Sequence, residues 1–311
     1  MNNNIFLQNL AQSDIFLSTC PWIIGAHIPI SKTLLQTIKD AINSGMYSFQ
    51  FFLGSPQSFK RRHLSSDDIK ESIQLTTHYP MCIFSHAPYI FNLAGSKASL
   101  AWNGDTTQDQ KTMSAINELS YELSILANFK VNGVVIHPGC FKDRTKGLKT
   151  IGQSINKIEF KENSKLLLET SAGQGDTLAT SFLEIKTILE NVIPNKRKYV
   201  GVCVDTAHIW GSGEYEINKI EEVDRMFSDF DNILGKEKFG LLHLNDSEVK
   251  FNSKKDRHSC ISEGYIWKED ITSFIYLMNE CKRRKIPVVL ETIPEDVYNV
   301  WNIYESSIKK S

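Results

Sequence analysis

The sequence predicts a single (β/α)₈ barrel of the α/β class, and three observations carry that prediction. Eight short β-branched or aromatic runs recur along the chain, amphipathic stretches long enough for helices separate them, and metal-competent side chains sit at the ends of six of the runs. In order, the strand candidates are Trp22 to His27, Tyr47 to Leu53, Met81 to His86, Val131 to His137, Lys165 to Glu169, Tyr199 to Asp205, Phe239 to Asn245 and Val288 to Glu291. Turns rich in Gly, Pro, Ser or Asn bound them. Helices are expected at Ser31 to Ser44, Ser65 to His78, Gln108 to Asn128, Leu178 to Val192, Ile217 to Leu234 and Lys268 to Arg284. In the second of these, Ser66 reads as a cap ahead of Asp67 and Asp68, whose charges favour a helix N-terminus. A doubly wound open sheet would carry a Gly-rich dinucleotide loop after its first strand, where this chain reads Gly25-Ala26-His27-Ile28-Pro29.

The chain has 311 residues, 41% hydrophobic and 23% charged, with no linker, low-complexity tract or internal repeat dividing it. The expectation is one barrel domain over residues 22–311, preceded by an N-terminal extension, Met1 to Pro21. No run approaches the roughly 18 uncharged apolar residues of a membrane span. The N-terminus lacks a basic segment, and Gln8, Asn9 and Gln12 interrupt its apolar residues, which argues against a secretory signal. The six cysteines form no CxxC pair, and Cys82 and Cys203 fall inside apolar strand runs, so a reducing, intracellular setting is expected. The Asn-, Ile- and Lys-rich character fits an AT-rich genome such as that of a large DNA virus. A net charge of −1 does not resemble a non-specific nucleic-acid coat.

His86, His137, Glu169, Asp205, His243 and Glu291 stand at or near the last residues of strands three to eight. In a (β/α)₈ barrel those ends converge on one face. Imidazoles and carboxylates packed there require cations, since crowded carboxylates otherwise repel one another. His208 follows Asp205 by three residues, and in Asp256-Arg257-His258 an extended loop turns positions 256 and 258 to one side and Arg257 to the other. Five histidines and four carboxylates without cysteine mark a catalytic rather than a closed structural metal site, and nine donors suit about three ions with a bridging carboxylate. Such clusters serve hydrolysis at phosphorus. His27 reads as a structural or supporting residue, His63 and His78 as surface residues, and Cys140 and Cys260 as unligated.

Seven segments resemble, in order, the signature stretches of the endonuclease IV family: His86-Ala87-Pro88-Tyr89-Ile90-Phe91-Asn92-Leu93, His137-Pro138-Gly139, Leu168 to Gly175, Cys203 to His208, His243-Leu244-Asn245-Asp246, Asp256-Arg257-His258 and Leu290-Glu291-Thr292. The resemblance runs from about Gly25 to Glu295. It implies three zinc ions: one on His86, His137 and Glu169, one on Glu169, Asp205, His243 and Glu291, and one on His208, Asp256 and His258. It also implies double-stranded DNA containing abasic sites as substrate, cut 5′ to the abasic sugar to leave a 3′-hydroxyl and a 5′-deoxyribose phosphate. Glu169 or Glu291 would orient or deprotonate the water. Tyr89 and Ile90 match the wedge that fills the gap in the duplex, and Gln57 stands where the family commonly has Arg.

Three Zn²⁺ would bring the formal charge to about +5, concentrated on one face. Lys60-Arg61-Arg62, Lys142 with Arg144 and Lys146, and Lys250 with Lys254 and Lys255 follow strands two, four and seven, and are expected to join Arg257 in contacting phosphates. The expected assembly is a monomer. Two other classes fit parts of the pattern: a metal-dependent sugar isomerase or epimerase on the same barrel, and a damage-binding protein without turnover. His208 and Asp256-Arg257-His258 speak against the isomerase, because they supply a further ion it does not need.

Overall fold

In the computed structural model, which describes residues 24–95 and 110–308, eight parallel strands close into a barrel. They are β1 (Ile24–His27), β2 (Ser48–Phe51), β3 (Cys82–His86), β4 (Val131–Ile136), β5 (Leu166–Glu169), β6 (Val200–Asp205), β7 (Phe239–His243) and β8 (Val288–Leu290). Each strand pairs with its sequence neighbours, and Ile24 opposite Val288 closes the ring. The helices are α1 (Leu34–Asn43), α2 (Ser66–His78), α3 (Gln110–Leu126), α4 (Arg144–Ile155), α5 (Phe182–Glu190), α6 (Thr206–Ser212), α7 (Ile220–Ile233), α8 (Thr272–Arg284) and α9 (Asp296–Ile308). Among the described residues no helix is long and apolar enough to cross a membrane. Met1 to Pro21, Trp22 and Gln108 lie outside the described residues.

Strand alternation divides the core in two. Ile83, Val134, Leu166, Leu168, Val202 and Val204 belong to the large cluster between strands and helices. Cys82, Phe84, Val135, Leu167, Cys203, Leu241 and Val289 form a separate cluster inside the ring. Glycines make room for it: a Cβ at Gly133, Gly201 or Gly240 would lie 2.8, 2.9 or 2.5 Å from the Leu167 methyls.

Some boundaries differ from those read in the sequence. The cap of α2 is Ser65, not Ser66, its hydroxyl accepting from the Asp68 amide. Asp68 does not simply favour its own helix: its carboxylate accepts the N–H groups of Leu34 and Leu35 at 2.8 and 2.9 Å, satisfying the start of α1. Helix α4, capped by Asp143, holds Arg144 and Lys146 of the basic cluster that follows β4, and it, α6 and α9 lie outside the helices expected from the sequence.

Candidate metal centre

The strand period explains how the site is assembled. Phe84, Val135, Leu167, Cys203, Leu241 and Val289 face the barrel interior, and two residues beyond each stands His86, His137, Glu169, Asp205, His243 or Glu291. Because residues i and i+2 share a face, all six side chains project into the bowl above the inner core. His208 arrives by a second route: the Asp205 carboxylate caps α6 by accepting the His208 N–H at 2.9 Å, so the cap residue and its N3 position deliver two donors together. Asp256 and His258 come from the loop after β7, tied down by the Asp246–Ser247 and His258–Ser259 ribbon.

The side chains gather into three groups whose donor atoms lie within 4.8 Å of one another: His86, His137 and Glu169; Glu169, Asp205, His243 and Glu291; and Asp205, His208 and His258. The first two have the membership that the family resemblance implies. In the third, Asp205 joins His208 and His258 at 3.9 and 3.6 Å, and Asp256 lies nearer to both rings, its oxygens 3.1 Å from His208 Nε2 and 3.2 Å from His258 Nε2. Glu169 is the hub. One oxygen lies 3.1 Å from His86 and 3.5 Å from His137, the other 3.0 Å from His243 and 3.5 Å from His208. Cys140 and Cys260 join none of these groups. Likewise outside them, His63 is exposed beside Tyr121, and exposed His78 bonds its own helix at the Gln74 carbonyl.

Ring orientation is fixed from behind. His86 Nδ1 lies 2.7 Å from the Ala87 carbonyl and His208 Nδ1 2.7 Å from that of Thr170, which leaves each Nε2 for the site. For His243 the assignment reverses, since Nε2 bonds Gln50 Oε1 at 2.9 Å and Nδ1 faces Glu169 and Glu291. Gln50 also donates to Glu291 Oε1 at 2.9 Å and lies 3.1 Å from His27 Nδ1, so His27 supports the site through Gln50. Asn245 donates to Asp205 at 2.8 Å and to Glu291 at 3.3 Å, and accepts the Glu291 N–H at 3.0 Å. Gln50 and Asn245 escaped the sequence reading because amides are not ligand types. Gln50 carried a usable signal: it shares the inward phase of its strand with Ser48.

Burial disfavours every charge here, and the partners decide the outcome. Although burial opposes it, Asp205 and Asp256 raise His208 well above the ordinary imidazole value, and with Glu291 they push His258 up to about 9. His137 and His27 instead fall to about 4 on burial. Glu169 and Glu291 are held below the usual carboxylate range despite burial, by His137 and His243 for the former and chiefly His243 for the latter. The site is a concentration of carboxylates that attracts positive charge.

Above the bowl opens a cavity of about 680 Å³. Tyr89 and Ile90 stand exposed on its rim, 59% and 40% accessible, and Arg257 is exposed on the opposite loop. Tyr89 packs edge-on to His86 and Phe52. Gln57 is exposed on the adjoining loop, which the Tyr89 N–H joins through the Pro56 carbonyl at 3.0 Å. Lys255 is exposed, whereas the Lys254 ammonium donates to the Ser212 carbonyl. Three expected phosphate contacts are engaged within the protein. Arg61 is buried against Glu122, Arg62 donates to the Ser31 and Lys32 carbonyls, and Arg144 pairs with Glu184 at 2.6 Å.

The profile of the family described as xylose isomerase-like TIM barrel matches residues 38–308. A protein of Methanosphaera stadtmanae named probable endonuclease 4 is 35% identical over 280 residues, covering 88% of this chain and 94% of its own. Endonuclease IV from Thermus thermophilus superposes with a TM-score of 0.74 at 21% identity, over 93% of this chain and 99% of its own. A D-tagatose 3-epimerase-like protein shares the fold with a TM-score of 0.63 at 17% identity, over 92% and 97% of the two chains. The barrel is therefore common to nucleases and epimerases, and the sequence relationship separates them. The chain belongs to the endonuclease IV family of apurinic/apyrimidinic endonucleases, hydrolases built on the xylose isomerase-like TIM barrel.

Proposed function

We propose that this chain hydrolyses the phosphodiester 5′ to an abasic site in double-stranded DNA, leaving a 3′-hydroxyl and a 5′-deoxyribose phosphate, with three zinc ions held by His86, His137, Glu169, Asp205, His208, His243, Asp256, His258 and Glu291. The observation that carries this reading is the gathering of eight imidazole and carboxylate side chains into three groups at one barrel mouth, with Asp256 against His208 and His258 and with Glu169, Asp205 and His243 fully buried. The fit is chemical as well as geometric. The Nε2 atoms of His208 and His258 are buried and make no hydrogen bond, although Asp256 oxygens lie close by. Two buried ring nitrogens converging on one carboxylate without a well-formed hydrogen bond suit an ion held between them. Clustered divalent ions, when bound, generate hydroxide near neutral pH and stabilise the oxygens of an in-line displacement.

The chain's own groups supply the rest. Glu169 and Glu291 orient the attacking water and take its proton. Tyr89, Ile90 and Gln57 occupy the gap left by the extruded nucleotide, whose missing base lowers the cost of extrusion. Arg257 and Lys255 contact flanking phosphates, and Lys254 shapes the loop that carries them. The protein acts as an intracellular monomer whose barrel spans residues 22–311 behind an extension of residues 1–21. An epimerase would need neither His208 nor Asp256.

Two consequences are measurable. Arg257→Ala combined with Lys255→Ala reduces the salt slope of binding to undamaged duplex by about 2, at about 0.9 per phosphate contact. Lys254→Ala changes it less, and an unaltered slope in the double variant removes the phosphate role. Because His258 titrates at about 9 without metal, a proton must leave before a metal binds. Metal affinity therefore rises with pH up to about 9, as competition with a chromophoric chelator would show; a flat profile contradicts His258 as a ligand. The reading as a whole is tested on three substrates: a duplex with one abasic analogue, the same duplex undamaged, and a ketohexose. Cutting of the first alone supports it, and sugar turnover without cutting overturns it.

A further inference from the structure

Arg61 does not reach solvent. Its side chain is fully buried 3.6 Å from Glu122 of α3, which is equally buried and accepts the Ser85 hydroxyl of β3 at 2.8 Å. The guanidinium spreads over one loop: it donates to the carbonyls of Ser55 at 3.0 Å, Phe59 at 3.4 Å, and Ser58. It also stands 5.6 Å from the centre of the Phe91 ring, and Phe91 closes the Tyr89–Ile90 turn through its N–H to the Pro88 carbonyl. Phe59 stacks on the same ring at 5.3 Å. One buried cation thus touches both segments on this side of the metal cavity, the loop bearing Gln57 and the turn bearing Tyr89 and Ile90.

We propose that Arg61, braced by Glu122, is a positioning residue that fixes the Gln57 loop against the Tyr89–Ile90 turn and thereby sets affinity for the damaged duplex. The inference rests on the DNA-directed reading given above. Neither residue hydrogen-bonds a proposed metal ligand; Glu122 comes nearest through the hydroxyl of Ser85, the neighbour of His86, so metal content is read beside activity in the test. A planar fork serving several carbonyls at once is what Lys lacks, and this makes Arg61→Lys informative.

The experiment compares the metal-loaded wild-type protein with Arg61→Lys and with the double variant Arg61→Met, Glu122→Leu, which removes both buried charges and leaves neither unpaired. Steady-state cutting of the abasic duplex, metal content and hydrogen exchange across residues 53–60 are read together. The expected result is a KM raised about tenfold in both variants, with kcat and metal content unchanged and faster exchange in the loop. A double variant with wild-type KM, even if less stable, overturns the inference, since the pair would then serve stability alone. Wild-type protein that leaves the abasic duplex intact overturns the DNA reading and the inference with it, and that failure is visible without any variant.

Discussion

Glu169→Gln abolishes cutting of an abasic duplex, lowering kcat by about 10³-fold or more, and purifies with less metal than the parent. The substitution preserves volume in a fully buried position, so packing is not what it tests. It replaces a carboxylate oxygen with an amide donor at a group whose two oxygens face four imidazoles, those of His86, His137, His243 and His208. An amide is a poor partner for two cations at once, and its N–H would compete for the proposed ligand nitrogens of His86, His137 or His243. Circular dichroism and metal analysis accompany the assay, and a folded variant retaining activity within tenfold of wild type would remove Glu169 from the centre of the site.

Stripping divalent ions with a chelator lowers the melting temperature by roughly 10 °C or more, and zinc restores it. An ion at a thousand times its dissociation constant stabilises the native state by about 4 kcal/mol, and each kcal/mol moves the midpoint of a large domain by about 2 to 4 °C. The cost of removal is concentrated at Glu169, Asp205 and Glu291, left facing one another around Asn245 and His243. Differential scanning fluorimetry of apo and reloaded protein reads this directly. Identical midpoints would mean that the carboxylates are satisfied by imidazolium partners and need no ion.

The barrel and its bowl were legible because strand period and chemistry coincide. Phe84-Ser85-His86, Leu167-Leu168-Glu169 and Leu241-Leu242-His243 each place an apolar residue and a metal-competent side chain in the same phase, and the pattern repeats in six strands. Helix α4 was not legible, since Gly147 and Gly152 weaken its propensity. Their value lies in close packing: a Cβ would come 2.6 Å from Leu178 at the first and 2.6 Å from Asn191 at the second. The fate of the loop cations was equally hidden. Lys60-Arg61-Arg62 looks like one basic patch, yet Arg61 turns inward to Glu122, more than 60 positions along the chain, and only tertiary structure brings that carboxylate near. Asp256 was assigned to a ligand set from its spacing to His258. The spacing does place both against His208, and what it does not show is that Asp205 also reaches the two rings, at 3.9 Å from His208 and 3.6 Å from His258.

The most direct test of the central claim is the chemistry of the ends produced from an end-labelled duplex with a single natural abasic site. Hydrolysis on its 5′ side yields a fragment that comigrates with a 3′-hydroxyl marker and is extended by a polymerase without further processing. A 3′-unsaturated aldehyde that blocks extension would show elimination on the other side of the sugar, and would contradict a metal-assisted hydrolase at this site.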